Sequence, residues 1–187
     1  MREVKLLCYR MHRVPLLLRL NATDRAMFAR FALTEEAPRA TMRAWVAVTH
    51  LGGATAVIFA VLMPLLFSKG HTHQAAVLAA WSLLISHLVV QVIKRNAVRS
   101  RPEPAREGRT AVGVPDRFSF PSGHSASAMA VAFAYGMSMH AYALPLMVLA
   151  VIIGMSRVRL GLHYPSDVVA GQAIAMVTVL GFWFLLP

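Results

Sequence analysis

Acidic charge is almost missing from this chain. Only 8 of its 187 residues are Asp or Glu, and all charged residues together make up 14%. A water-facing globular surface takes about 25% charged residues, so an ordinary soluble domain is excluded. Cysteine is nearly absent as well. Cys8 stands alone, which leaves no internal disulfide and no cysteine-based metal site. There is no internal repeat, no low-complexity tract and no apolar/polar alternation of the kind a membrane β-barrel needs. What remains is 57% AVILMFWYC residues with a mean hydropathy of +0.57, far too apolar for a disordered or fibrous chain. The formal net charge is +11. On so apolar a chain that charge indicates an anionic membrane surface as partner, and no nucleic acid.

A helix crossing a bilayer core of about 30 Å needs about 20 apolar residues. Ala44 to Ser68, Gly70 to Ile93, Phe118 to Ser156 and Val168 to Pro187 contain no Lys, Arg, Asp or Glu. The third stretch is too long for one span and divides near His140–Pro145 into roughly 122–139 and 143–158. The expected fold is all-α: a polytopic membrane bundle of about five transmembrane helices. Residues 1–40 differ, with Arg2, Lys5, Arg10, Arg13, Arg19, Arg25 and Arg30 interleaved among Leu6, Leu7, Leu16, Leu17, Leu18, Met27 and Phe28. That pattern predicts amphipathic helices lying in the interface, followed by a catalytic transmembrane domain over 41–187. The segment has neither the apolar core nor the small-residue cleavage site of a signal peptide, so it is expected to be retained.

Five spans place the N-terminus, the 94–121 loop and the 157–167 loop on one side. Eighteen of the nineteen Lys and Arg residues then share that side, with Lys69 alone opposite. Three polar clusters lie there too. Lys94 is followed, after six intervening residues, by Arg101-Pro102; Pro121-Ser122-Gly123-His124 opens the third span; Ser156-Arg157 is followed by His163 and then Asp167. Guanidinium groups grip phosphate oxygens as a fork, and an ammonium acts as a point charge. Ser122 and Gly123 sit where a helix begins, so free amides and the positive dipole end face any anion there. His163 and Asp167 are four apart, on one helical face, so Asp167 can hold one ring nitrogen and leave the other free to attack phosphorus. His124 is placed to protonate the departing oxygen and later to activate water. No carboxylate pair or Cys/His cluster of metal-ligand spacing accompanies them. The chemistry predicted is metal-independent and cofactor-free, through a phosphohistidine.

The three clusters, KxxxxxxRP, PSGH and SRxxxxxHxxxD, resemble the type 2 phosphatidic acid phosphatase (PAP2) superfamily at every specified position, densely over about 94–175. The resemblance implies His163 as nucleophile, Asp167 as its orienter and His124 as general acid. It implies Lys94, Arg101, Ser122, Gly123 and Arg157 as phosphate ligands. It further implies a multi-pass (inner) cell-membrane lipid phosphatase whose substrate is phosphatidic acid, phosphatidylglycerophosphate, undecaprenyl diphosphate or another lipid phosphate. Many relatives have six spans, against five here. A lipid phosphotransferase using the same intermediate is the alternative, and a silent binder of anionic lipid a third reading. The Lys/Arg bias puts the catalytic face in the cytoplasm, whereas the better-known family members face outward. Arg95, Arg99, Arg106, Arg109 and Arg117 read as a basic rim that touches lipid head groups. His50 and His87, inside spans, are either functional or neutral histidines bonded to a neighbouring helix.

Overall fold

The computed structural model describes residues 14–34, 36–106, 110–113 and 116–185. Cys8 and the basic residues Arg2, Lys5, Arg10, Arg13 and Arg109 lie outside the described residues. The helices are α1 (Val14–Phe31), α2 (Arg39–Leu51), α3 (Ala54–Phe67), α4 (Gly70–Ala97), the single turn α5 (Glu103–Arg106), α6 (Gly123–Ser138), α7 (His140–Arg159) and α8 (Pro165–Leu185). Among the described residues the one extended pairing is an isolated antiparallel bridge between Ser100 and Phe118.

The bundle is built around α6. Its Ala126, Ala128, Ala130, Ala132, Ala134 and Gly136 are buried, and side chains this small let α4, α7 and α8 approach closely, as membrane helices require. A Cβ on Gly136 would lie 3.2 Å from the Ala143 Cα, so the tight α6–α7 turn depends on that glycine. The chain divides at Met139, within a residue of the expected break. Outward, Phe59, Phe67, Leu144, Val177 and Phe184 are exposed. Large apolar side chains of this kind suit lipid, not water.

Three helices, α4, α7 and α8, are individually long and apolar enough to cross a membrane, and α2 with α3 passes the same test only as a bent pair, a fourth span if the pair crosses as one. Three helices, or four with that pair, thus qualify by length and apolarity among the described residues, against the five expected spans. The third, α6, has 16 residues, less than a bilayer thickness, and its partners shield it. The first is broken by 43° between α2 and α3. Gly52 and Gly53 occupy the break, and a Cβ on Gly52 would overlap the Ile153 side chain, so the bend seats the chain against α7. These features define a multi-pass membrane protein.

After Lys94 the chain turns sharply. Val98 takes a left-handed conformation (φ 47°, ψ 35°), which costs a β-branched residue of order 1–2 kcal/mol. The extended residues beyond it pair with the strand-like approach to α6, where Ser119 N–H donates to Arg99 C=O at 2.8 Å. In extended chain, residues two apart share a face. Arg99 and Arg101 therefore reach the same end of the bundle.

Candidate active site

The residues expected to act together do meet. Lys94 from the last turn of α4, Arg101 from the loop after it, Ser122 at the start of α6, Arg157 near the end of α7, and His163 and Asp167 around the start of α8 are all buried. His124, in the first turn of α6, is half-buried and within electrostatic reach of Arg157, His163 and Lys94.

His163 is oriented from both sides. Its Nε2 lies 3.0 Å from Arg101 Nη1. A guanidinium has donors and no acceptor, so Nε2 must be the unprotonated nitrogen and Nδ1 carries the hydrogen. Nδ1 in turn faces Asp167 Oδ2 at 3.5 Å, a long contact that makes no hydrogen bond in this geometry. The Asp167 carboxylate is held elsewhere: Oδ2 accepts from the Ser119 hydroxyl and from Tyr164 N–H at 2.8 Å, and Oδ1 accepts from Arg99 at 2.7 Å. Burial drives the imidazole pKa down to about 4; Arg157 and Arg101 push the same way, and Asp167 opposes them. At neutral pH the ring is uncharged, with an in-plane lone pair on Nε2. That is the form a nucleophile needs.

The start of α6 is a candidate anion cradle. Ser122 is the N-cap, accepting from Ser125 N–H and from the Ser125 hydroxyl. The first helical bond runs from Ala126 N–H to Ser122 C=O, so the Gly123 and His124 amides have no partner inside the helix. Ser122 N–H is fixed to Asp167 C=O at 2.9 Å, and α8 presses so close that a Cβ on Gly171 would collide with the Ser122 carbonyl. Gly123 is different: a Cβ there would meet nothing within 4 Å. It opens onto free space beside the cations. Gly123→Val should therefore leave the unfolding midpoint unchanged while raising KM for a lipid phosphate. Blocking one charge-assisted contact, worth about 1.5–3 kcal/mol, corresponds to a rise of about 10- to 100-fold. Unchanged KM would remove Gly123 from the cradle.

Three further residues organise the site, and sequence reading did not single them out. Asp116 accepts from Lys94 Nζ at 2.7 Å and from Arg101 Nη2 at 3.0 Å, occupying donors that a phosphate would use. Burial pulls its carboxyl up, but Lys94 and Arg101 outweigh that and hold it below the usual carboxylate range. Thr49, buried at the end of α2, accepts from Arg157 Nη1 at 2.7 Å. Ser119 braces Asp167. Only Asp116 carried a usable signal, as the one aspartate of a basic loop. Arg99 requires a correction: it is no lipid-facing rim residue, because it binds Asp167, Asp24 and Ser166, and its spacing of two from Arg101 in extended chain was the missed signal. His87 pairs with Gln91 on its own helix and stands apart from the site.

An apolar helix bundle thus brings three buried cations, an open helix N-terminus and a neutral histidine facing a carboxylate together at one end. The profile of the PAP2 superfamily matches residues 75–187. The chain belongs to that superfamily. It is 32% identical over 111 residues to the lipid A 1-phosphatase of Rhizobium johnstonii, covering 57% of this chain and 43% of that protein. It is 29% identical over 117 residues to an undecaprenyl-diphosphatase of Bacillus subtilis, covering 63% and 58% respectively. The chain thus spans about half the length of the curated relatives it matches. A transmembrane PAP2-type phosphatidylglycerolphosphate phosphatase from Bacillus subtilis shares the fold, with a TM-score of 0.71 at 23% identity over 90% of this chain and 88% of that one.

Proposed function

We propose that the protein is a membrane lipid phosphatase that removes a terminal phosphate through a phosphohistidine on His163. The observation that carries this reading is the 3.0 Å contact between His163 Nε2 and Arg101 Nη1; because a guanidinium only donates, that nitrogen keeps its lone pair and lies among the cations. The phosphate takes over the donors of Lys94, Arg101 and Arg157 and the amides at Gly123, and Nε2 attacks phosphorus. The bond from phosphorus to the lipid oxygen breaks, and His124, which takes up a proton from solvent as the negative charge of the bound phosphate offsets Arg157 and Lys94 beside it, gives that oxygen its proton. His124, now neutral, takes a proton from water, whose oxygen displaces His163 and releases phosphate. Asp167 stabilises the positive charge that the imidazole acquires. The positive charge that other enzymes draw from metals comes here from side chains, so EDTA should not inhibit.

The relatives named above act on lipid A and undecaprenyl diphosphate, which supports a lipid or polyprenyl phosphate as substrate. A phosphate-release panel on purified protein, over phosphatidic acid, phosphatidylglycerophosphate, undecaprenyl diphosphate and lipid A, tests the reading. Release from at least one, unaffected by EDTA, is expected; release from none, or a strict Mg²⁺ requirement, overturns it. Phosphate appearing on an added alcohol in place of water would indicate the phosphotransferase. The basic bias supports a cytoplasmic catalytic face, with α1 in the adjoining interface. In a Cys8→Ser background, a cysteine at the exposed Ala111 should stay unlabelled by an impermeant thiol reagent in intact cells, and labelling would reverse the orientation.

A further inference from the structure

Asp24 has no part in the chemistry above, yet it is 2% exposed on a helix whose neighbouring residues are mostly exposed. Asn21, Asp24 and Phe28 follow the i, i+3, i+7 spacing of one helical face, and all three are directed at the segment that carries the histidine. Asp24 Oδ2 accepts from Arg99 Nη2 at 2.5 Å. Asn21 Oδ1 accepts from the same nitrogen at 3.1 Å. The Phe28 ring meets Tyr164 edge-on at 5.6 Å, and the other face of the contact is Arg99, whose guanidinium lies 4.5 Å from the Tyr164 ring centre. Asp24 also accepts from Ser166 N–H at 3.0 Å and from the Ser166 hydroxyl. Ser166 is the second residue of α8. From another helix, Asp24 thus supplies the carboxylate that a helix N-terminus favours.

Arg99 links this contact to the histidine. Its Nη1 donates to Asp167 Oδ1 and to Ser166 Oγ, both at 2.7 Å, while Nη2 is anchored on Asp24. With Ser119 and Tyr164 N–H on Oδ2, the Arg99 contact leaves the Asp167 carboxylate no freedom to rotate away from His163. An ion pair this enclosed is a poor device for stability alone, because desolvation offsets most of the attraction. Its value is in fixing a carboxylate that must accept from Nδ1 once the imidazole becomes charged.

We propose that Asp24 and Arg99 are positioning residues for the His163–Asp167 pair, which makes α1 a working part of the site as well as an interfacial segment. The proposal rests on His163 being the nucleophile. Losing Arg99 frees the Asp167 carboxylate; losing Asp24 frees Arg99 and uncaps α8 at the residue before Asp167. Both losses act on the phosphorylation step and leave the phosphate cradle intact.

The test uses full-length protein in detergent micelles with phosphatidic acid and, separately, undecaprenyl diphosphate. Arg99→Ala and Asp24→Ala should each lower kcat by about 10- to 100-fold, the usual cost of loosening the support behind a reacting group, with KM within about twofold. Arg99→Lys should recover part of the rate. The double variant should be no slower than Arg99→Ala, because the two residues act in one chain of contacts. The near-isosteric Asp24→Asn, with its unfolding midpoint measured alongside, guards against a folding defect and should still lower kcat. Wild-type kcat in Asp24→Asn and Arg99→Ala, or a loss confined to KM, overturns the proposal provided His163→Ala is inactive. If His163→Ala remains active, the nucleophile assignment fails instead.

Discussion

His163→Ala is expected to lower phosphate release by about 10⁴-fold or more. Groups that act as one catalytic unit each carry nearly the whole of its effect, and single deletions in such units cost about 10⁴- to 10⁶-fold. Here the unit is compact: Nε2 faces Arg101 at 3.0 Å, and Nδ1 faces a carboxylate with three other donors on it. The variant should keep its fold, because it loses no hydrogen bond to Asp167 in the resting state and is relieved of an imidazole that burial holds in its neutral form. Phosphate release is measured with the substrate found by the panel, and the unfolding midpoint is followed in parallel. Activity within tenfold of wild type would show that the phosphoryl group passes elsewhere.

The second large effect is expected at Arg157. Its side chain is 1% exposed, and Thr49 Oγ1 holds Nη1 at 2.7 Å. Its Nε has no partner among the described residues. A buried guanidinium with a donor left over is suited to meet charge that arrives with the substrate and grows in the transition state. Lysine keeps the charge but not the fork, and cannot hold Thr49 and two phosphate oxygens together. Arg157→Lys should lower kcat by about 10²- to 10³-fold, the cost of one preorganised donor at a developing charge. Thr49→Val, which removes only the brace, should cost less. If Arg157→Lys matches wild type, Arg157 serves packing and not phosphate.

The sequence was most readable where chemistry and hydropathy coincide. Charge-free runs located α4, α7 and α8 because lipid admits no unpaired charge, and Lys94, Arg101, Ser122, Arg157, His163 and Asp167 converge because each lies at a helix end or in the loop beside one, on the same side. Hydropathy is blind to direction, so Ala44 to Ser68 read as one span although Gly52-Gly53 bends it. It is equally blind to shielding, so α6 read as a full span although its neighbours cover its 16 residues. Asp24 and Arg99 lie 75 residues apart within basic segments that also carry exposed charges such as Arg25, Arg30, Arg95 and Arg117. Nothing local separates a buried ion pair from a solvated one, and only the docking of α1 on α8 distinguishes them. Thr49 was hidden for the same reason, since its partner Arg157 is 108 positions away.

The central claim is a covalent one: phosphorus becomes bonded to His163 Nε2 during turnover. Purified protein mixed with lipid substrate carrying ³²P in its terminal phosphate, quenched with alkali within milliseconds and digested, tests it directly. The claim predicts an acid-labile, alkali-stable label on the peptide containing His163, formed at least as fast as turnover and absent from His163→Ala. Turnover with no labelled protein at any quench time, or label on a different residue, would contradict it.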